Sequence, residues 1–304
     1  MLKPNKVLFQ NKYHRPKIFW LARGFAELGS QVVYSDRLEK QIPMAGVEPF
    51  DLIFENFTLR AWLDTMPTPE ICEKIFPLQG NAYYFKTHLN FMMRFWKPKL
   101  FPMPNSGSNE KFMDKLSELR KTRNEEPLYD IIAILCNSDN GLRIKTCELI
   151  QDNFDSAIVG IYESPFYGID RVPTRLKREK MPYDLYLHLI SRSKLALAMP
   201  AINNPKAEAV WCSFRLVENL GIGTPTVTIE NSHNYIMVGE PEKCWIECKE
   251  DLSDMIEKIK FYLEDSAERE EIGRQGKAYF DSFLSPRKHA EWILNCIDKD
   301  MRSE

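Results

Sequence analysis

Residues 213–229 read SFRLVENLGIGTPTVTI and predict a short helix that is followed at once by a buried strand. Apolar residues recur at helical spacing as far as a Gly-x-Gly segment, which favours the end of a helix, and β-branched residues come next. Arg215 and Glu218 are three positions apart early in this helix, so they share one face of it. A guanidinium can bind a phosphate, and a carboxylate can accept hydrogen bonds from two hydroxyl groups. The alternative interpretation is a surface ion pair, which contributes little to stability.

The preceding sequence has the order helix, buried strand and polar loop, over residues 183–193, 194–200 and 203–206. Together with the helix and strand of residues 213–229, this order resembles the C-terminal half of GT-B glycosyltransferases, especially exostosin-like and CgeB-like enzymes. The resemblance is good over residues 183–229 and looser as far as residue 297. The positions that fit the family pattern are Ser193, Lys194, Pro200, Ser213, Arg215, Glu218, Leu220, Gly223, Pro225 and Val227.

The resemblance implies an α/β fold with two Rossmann-like doubly wound domains that face each other across a cleft. It implies that Arg215 contacts the diphosphate of a nucleotide sugar and that Glu218 binds the ribose hydroxyls. Ser213 would offer a hydroxyl group at a helix N-terminus, where anions are favoured. The resemblance also suggests that a C-terminal helix packs back on the first domain.

The first half of the chain contains a strand, a helix and a strand at the spacing of a βαβ unit, which builds a parallel sheet. No Gly-x-Gly-x-x-Gly motif follows the first strand, so the dinucleotide fingerprint is absent from the sequence. A second αβ series begins near residue 129, after a proline-rich segment and a charged helix. We therefore divide the chain into a first, acceptor-side domain, a linker, a nucleotide-sugar-binding domain and a C-terminal helix, at residues 1–105, 106–127, 128–285 and 286–304.

The composition excludes several classes of protein. The 41 Lys and Arg residues nearly balance the 43 Asp and Glu residues, which argues against general binding of nucleic acid. No apolar run approaches the ~18 residues that span a bilayer, and the polar N-terminus is not a signal peptide. The seven cysteines are odd in number and scattered. We expect a cytoplasmic, reduced protein without a membrane span, and peripheral association with a membrane stays open.

The loop of residues 137–141 follows the first strand of the second domain, and Arg143 lies in the helix after it. Backbone N–H groups at such a junction favour phosphate, so Asn137 and Arg143 are further candidates for donor binding. The alternative is an ordinary turn of Asn, Asp and Gly residues that begins a helix.

An inverting glycosyltransferase needs a general base that deprotonates the acceptor hydroxyl. Candidates at the ends of first-domain strands are Glu55, His14 and His88. No Asp-x-Asp motif occurs at a cleft-like position, so we expect no metal site and no cofactor. Cationic side chains and a helix dipole would stabilise the leaving diphosphate instead.

The sequence therefore predicts a hexosyl- or pentosyltransferase that moves a sugar from a nucleotide-diphosphate donor to a glycan or another hydroxyl acceptor. Two alternatives stay open at this point. One is a nucleotide-sugar epimerase of the same fold, and the other is a non-catalytic module that binds a nucleotide or a sugar.

Overall fold

The structure, a computed structural model, is built of two β-sheets and the helices that cover them. It describes residues 2–10, 16–36, 47–64, 82–86, 99–103, 108–137, 141–163, 172–199, 213–230 and 243–303. His14, His88 and residues 138–140 of the predicted loop lie outside these ranges. Within them, no helix combines the length and the apolar character that a membrane crossing requires.

The first sheet has six strands in the order β2-β1-β3-β4-β5-β6. They are β1 (Lys6–Gln10), β2 (Gln31–Ser35), β3 (Val47–Ile53), β4 (Thr58–Asp64), β5 (Tyr83–Lys86) and β6 (Leu100–Pro102). Helix α1 (Pro16–Glu27) connects β1 to β2, and these two strands are parallel, as the βαβ spacing predicts. Strand β3 is antiparallel to both of its neighbours, whereas β4, β5 and β6 are parallel to one another.

The sequence pattern predicts a third strand over residues 51–56, and the structure corrects this prediction. Strand β3 ends at Ile53, and a tight turn follows in which the N–H of Phe54 donates to the carbonyl of Phe57 at 2.9 Å. The chain then returns as β4, which the sequence analysis did not predict. Because β3 and β4 form this hairpin, the turn lies at the edge of the sheet opposite to the carboxyl ends of β1 and β4.

The second sheet has five parallel strands in the order β11-β10-β9-β7-β8. The strands are β7 (Tyr129–Cys136), β8 (Ala157–Tyr162), β9 (Ser193–Leu197), β10 (Thr226–Ile229) and β11 (Ile246–Cys248). The helices are α2 (Glu110–Arg123), α3 (Leu142–Asn153), α4 (Tyr183–Ser191), α5 (Phe214–Ile222), α6 (Met255–Glu264), α7 (Ser266–Tyr279) and α8 (Pro286–Ser303). The predicted helix and strand of residues 213–229 are confirmed as α5 and β10, whereas β11 was not predicted.

Helix α2 lies inside the predicted linker but contributes to the core of the second sheet. Phe112, Leu116 and Leu119 are buried in one apolar cluster with residues of α4 and α5. The segment between the two sheets is therefore a packed helix as well as a connection.

Helix α8 packs on α1, and its apolar face is buried in the core of the first sheet. The two helices approach closely at Gly24, where an added Cβ atom would lie 2.0 Å from the carbonyl oxygen of Pro286. A side chain at this position would therefore push the start of α8 away from α1.

We expect Gly24→Ala to lower the free energy of unfolding by about 1–3 kcal/mol, because the new methyl group meets backbone that cannot rotate away. On an open helix face the same exchange raises stability by about 1 kcal/mol. Ala26, exposed on the same helix, provides the control, since Ala26→Gly should show this ordinary preference. Urea unfolding of both variants tests the contact, and a stabilised Gly24→Ala protein would contradict it.

His289 of α8 is buried where the two domains meet, beside Trp20 of α1. Trp20 also packs against Phe112 and Phe280, with ring centroids 6.3 and 6.2 Å away. Burial lowers the pKa of His289 from 6.5 to about 3, because a charged imidazole would lose its hydration there.

The unfolded chain therefore binds a proton at His289 below pH 6.5 that the folded protein does not bind. This group contributes stability above pH 6.5, and that stability is lost as the pH falls, by up to about 1.4 kcal/mol per pH unit. We expect His289→Gln to reduce the slope of the unfolding free energy between about pH 4.5 and 6.5. Equal slopes in the wild-type protein and the variant would show that His289 is not held neutral.

Candidate functional site

The carboxyl edge of the second sheet contains a topological switch point between β7 and β9. These strands are neighbours, but β7 continues through α3 to β8 on one side, whereas β9 continues through α5 to β10 on the other side. The two connections diverge and leave a crevice, which is where ligands bind in open α/β sheets.

Arg215, in the first turn of α5, reaches into this edge. Its Nε donates to the carbonyl oxygen of Ile134 at 3.0 Å, and its Nη2 donates to the hydroxyl of Tyr162 at 2.8 Å. The guanidinium also lies 5.9 and 5.7 Å from the ring centroids of Tyr162 and Tyr186. Burial by itself lowers the pKa of Arg215. Tyr186, Tyr162 and Glu218 together raise this pKa by more than burial lowers it, so the net shift is upward. A guanidinium has five N–H groups, so donors remain for a ligand.

Glu218 lies one turn later on α5 and is only 4% exposed. Its Oε1 accepts hydrogen bonds from the hydroxyls of Ser108 and Tyr183, each at 2.5 Å. Burial raises the pKa of Glu218, whereas the hydrogen bonds from Ser108 and Tyr183 and the charge of Arg215 lower it, and burial prevails. Arg215 and Glu218 thus have separate partners and do not form the surface ion pair of the alternative interpretation.

Ser213 is the N-cap of α5, and its Oγ accepts from the N–H of Leu216 at 3.1 Å. This hydrogen bond fixes where the helix begins, and the first N–H groups of a helix have no partner within it. The position therefore fits the predicted anion-favouring terminus. The Ser213 hydroxyl oxygen itself accepts the capping hydrogen bond from Leu216.

Arg143, the other predicted donor-binding cation, joins two strand ends across the switch point. Its Nη1 donates to the carbonyl of Cys136 at 2.8 Å, and its Nη2 donates to the carbonyl of Met199 at 2.9 Å. Burial, with a smaller effect of nearby Arg215, lowers its pKa to about 10. Asn137 follows β7 and its N–H donates to the carbonyl of Tyr162 at 3.0 Å. The structure thus brings Asn137 and Arg143 to the same edge as Arg215.

The predicted general base Glu55 lies at the wrong edge of the first sheet. It is exposed in the β3–β4 turn, opposite to the carboxyl ends of the parallel strands, because β3 runs antiparallel to its neighbours. We therefore do not retain Glu55 as a candidate base, and His14 and His88 lie outside the described residues.

A polar cluster that the sequence analysis missed lies at the carboxyl edge of the first sheet. Asp64 ends β4, and its Oδ2 accepts from the Tyr84 hydroxyl at 2.6 Å and from Lys86 Nζ at 2.9 Å. All three side chains are buried. The sequence indicates Lys86 only as the polar end of a predicted strand, and Asp64 was missed because β4 was not predicted. In the part of the chain that the structure describes, no three His, Cys, Asp or Glu side chains form a metal-binding group.

The two carboxyl edges are linked by a short segment of chain. The N–H of Met103, after β6, donates to the carbonyl of Lys86 at 2.9 Å, at the end of β5. Ser108, five residues later, contacts Glu218, and five residues span at most about 18 Å. The carboxyl end of β6 therefore lies close to the α5 site.

Residues 147–295 match a family described as glycosyl transferase-like. No curated protein matches the sequence. An alpha-glucosyltransferase in complex with UDP-glucose and DNA containing an abasic site is similar in structure. Its TM-score is 0.52 at 11% identity, over 78% of this chain and 72% of that chain. An alpha-glucosyltransferase in complex with UDP and a 13-mer DNA containing a HMU base is also similar. Its TM-score is 0.52 at 13% identity, over 78% of this chain and 71% of that chain.

The fold is GT-B. This confirms the prediction of two Rossmann-like domains, which rested on the resemblance of residues 183–229. TarM also matches, with a TM-score of 0.48 and 13% identity over 77% of this chain. The chain spans about half the length of TarM, 54%. The narrower resemblance to exostosin-like and CgeB-like enzymes stays a prediction.

We expect Arg143→Lys to lower the free energy of unfolding by about 2 kcal/mol, because a lysine ammonium lacks the rigid planar fork by which Nη1 and Nη2 of Arg143 each reach a carbonyl. Arg175→Lys is the control, since the ion pairs of Arg175 with Asp152 and Glu148 are exposed, and we expect a change within about 0.5 kcal/mol. Urea unfolding measures both. Equal small losses would show that Arg143 does not hold the strand ends together.

Proposed function

We propose that the protein is a glycosyltransferase that uses a nucleotide-diphosphate sugar as donor. The observation that carries the proposal is the position of Arg215 and Glu218 at the start of α5, beside the switch point between β7 and β9. The match of residues 147–295 to the glycosyl transferase-like family supports it. So does the likeness in fold to an alpha-glucosyltransferase that binds UDP-glucose.

In this proposal the diphosphate lies at the N-terminus of α5, where the guanidinium of Arg215 and the helix dipole offset its charge. The same groups stabilise the charge that develops on the leaving diphosphate, so the reaction would need no metal ion. Glu218 accepts hydrogen bonds from the ribose, and Asn137 and Ser213 lie beside the donor. The acceptor is a glycan or another hydroxyl compound.

A general base from the first domain would remove the proton of the acceptor hydroxyl. His14 and His88 remain the proposed bases. In the sequence His14 follows β1 and His88 follows β5, and both strands have their carboxyl ends at the same edge of the first sheet. The proposal includes a hexosyl- or pentosyltransferase related to exostosin-like and CgeB-like enzymes, acting in the cytoplasm, with peripheral membrane association left open.

We expect Arg215→Ala to weaken the binding of UDP or of another nucleoside diphosphate by about 10- to 100-fold, because hydrogen bonds to charged groups contribute about 1.5–3 kcal/mol. Calorimetric titration measures this, after thermal unfolding has shown that the variant is folded. Glu218→Gln, which keeps the size of the side chain, provides a second variant. Arg175→Ala, at an exposed position in the segment after β8 and away from the site, is the control.

Folded Arg215 and Glu218 variants with unchanged nucleotide affinity would contradict the proposed site. Incubation of the wild-type protein with a panel of nucleotide sugars tests the reaction itself. Slow release of free nucleotide supports transfer. Interconversion of donors would indicate an epimerase, and binding without turnover would indicate a non-catalytic module.

A further inference from the structure

Ser108 and Tyr183 meet at one oxygen atom of Glu218. Ser108 precedes α2 and belongs to the segment that leaves the first sheet, whereas Tyr183 begins α4 of the second domain. Their hydroxyl oxygens are 2.8 Å apart, and each lies 2.5 Å from Oε1 of Glu218. Ser108 is fully buried, so this hydroxyl does not exchange its partner with bulk water freely.

The two oxygens of the Glu218 carboxylate are therefore in different situations. A carboxylate oxygen has two lone pairs, and both lone pairs of Oε1 have a donor. Oε2 receives no hydrogen bond from any residue that the structure describes. The two hydroxyls thus fix the orientation of the carboxylate and leave one oxygen as an acceptor.

We propose that Ser108 and Tyr183 are positioning residues for donor recognition, which hold Glu218 so that its Oε2 accepts a hydroxyl group of the bound nucleotide sugar. This inference rests on the proposed function. A hydroxyl is the fitting partner because the neighbouring Arg215 already offsets the charge of the carboxylate, and a buried acceptor favours a neutral donor.

The same two hydroxyls favour the ionised form of the carboxylate. Burial raises the pKa of Glu218, and the groups that oppose this are Ser108, Tyr183 and, from the same helix, Arg215. Tyr186 of α4 is a further titratable group that faces Glu218. Loss of either hydroxyl shifts the balance towards the neutral carboxyl, which is a weaker acceptor. Nucleotide binding should then fall off at a higher pH than in the wild-type protein.

We expect Ser108→Ala and Tyr183→Phe each to weaken UDP binding about tenfold at neutral pH, since each removes a hydrogen bond to a charged group. Titrations from about pH 5 to 8 should show the loss of binding moving to higher pH in both variants. A merely structural role would lower affinity equally at every pH. The Glu218→Gln variant should bind UDP weakly, and its affinity should not change with pH in this range.

Matched controls remove similar groups elsewhere. Ser30→Ala deletes a buried hydroxyl that donates to the carbonyl of Pro4, and Tyr83→Phe deletes a tyrosine hydroxyl that donates to Asp300. Both should keep wild-type affinity and pH profile. If Ser108→Ala does not fold, Ser108→Cys keeps the volume with a weaker donor and serves in its place.

UDP and UDP-glucose together test which hydroxyl Glu218 binds. We expect equal losses for both ligands, because both contain the ribose. A loss for UDP-glucose alone would contradict the ribose as the partner of Glu218. If the wild-type protein binds no nucleoside diphosphate among UDP, GDP and ADP, the proposed function fails. If it binds one, and the folded Ser108 and Tyr183 variants keep or improve affinity with an unchanged pH profile, only the positioning role is overturned.

Discussion

Two guanidinium groups lie at the same edge of the second sheet, and the candidate site depends on how they are held. Arg143 binds the carbonyls of Cys136 and Met199, and Arg215 binds the carbonyl of Ile134. Burial and the charge of Arg215 lower the pKa of Arg143, as expected for like charges that are close together. Backbone carbonyls carry only partial charge, so this edge keeps positive charge that an anionic ligand would offset.

The site is assembled from segments that are far apart in the sequence. Ser108 lies 110 positions before Glu218, yet the two side chains form a hydrogen bond because α2 packs on α4 and α5. Helix α8 crosses to the first sheet and packs on α1 at Gly24, so the last part of the chain stabilises the first domain. The geometry of the candidate site therefore depends on the way in which the two domains are joined.

The sequence predicts well the elements whose signals are local. The pattern predicts helices over residues 110–123 and 142–153, and these are the bounds of α2 and α3. Helix α5 ends at Ile222, before Gly223, which takes the left-handed conformation at φ 91°. The β3–β4 hairpin was missed because its turn residues also continue an apolar pattern, so pairing between strands decides where β3 ends. The contacts of Ser108 and Tyr183 with Glu218 have no local signal, since they arise only when helices from three segments pack together.

The most direct test of the account is a crystal structure of the protein with UDP bound. We predict that the diphosphate lies at the first turn of α5, within hydrogen-bond distance of the Arg215 guanidinium, beside the carboxyl ends of β7 and β9. A nucleotide that binds elsewhere on the folded protein, with Arg215 still engaged only with Ile134 and Tyr162, would contradict it.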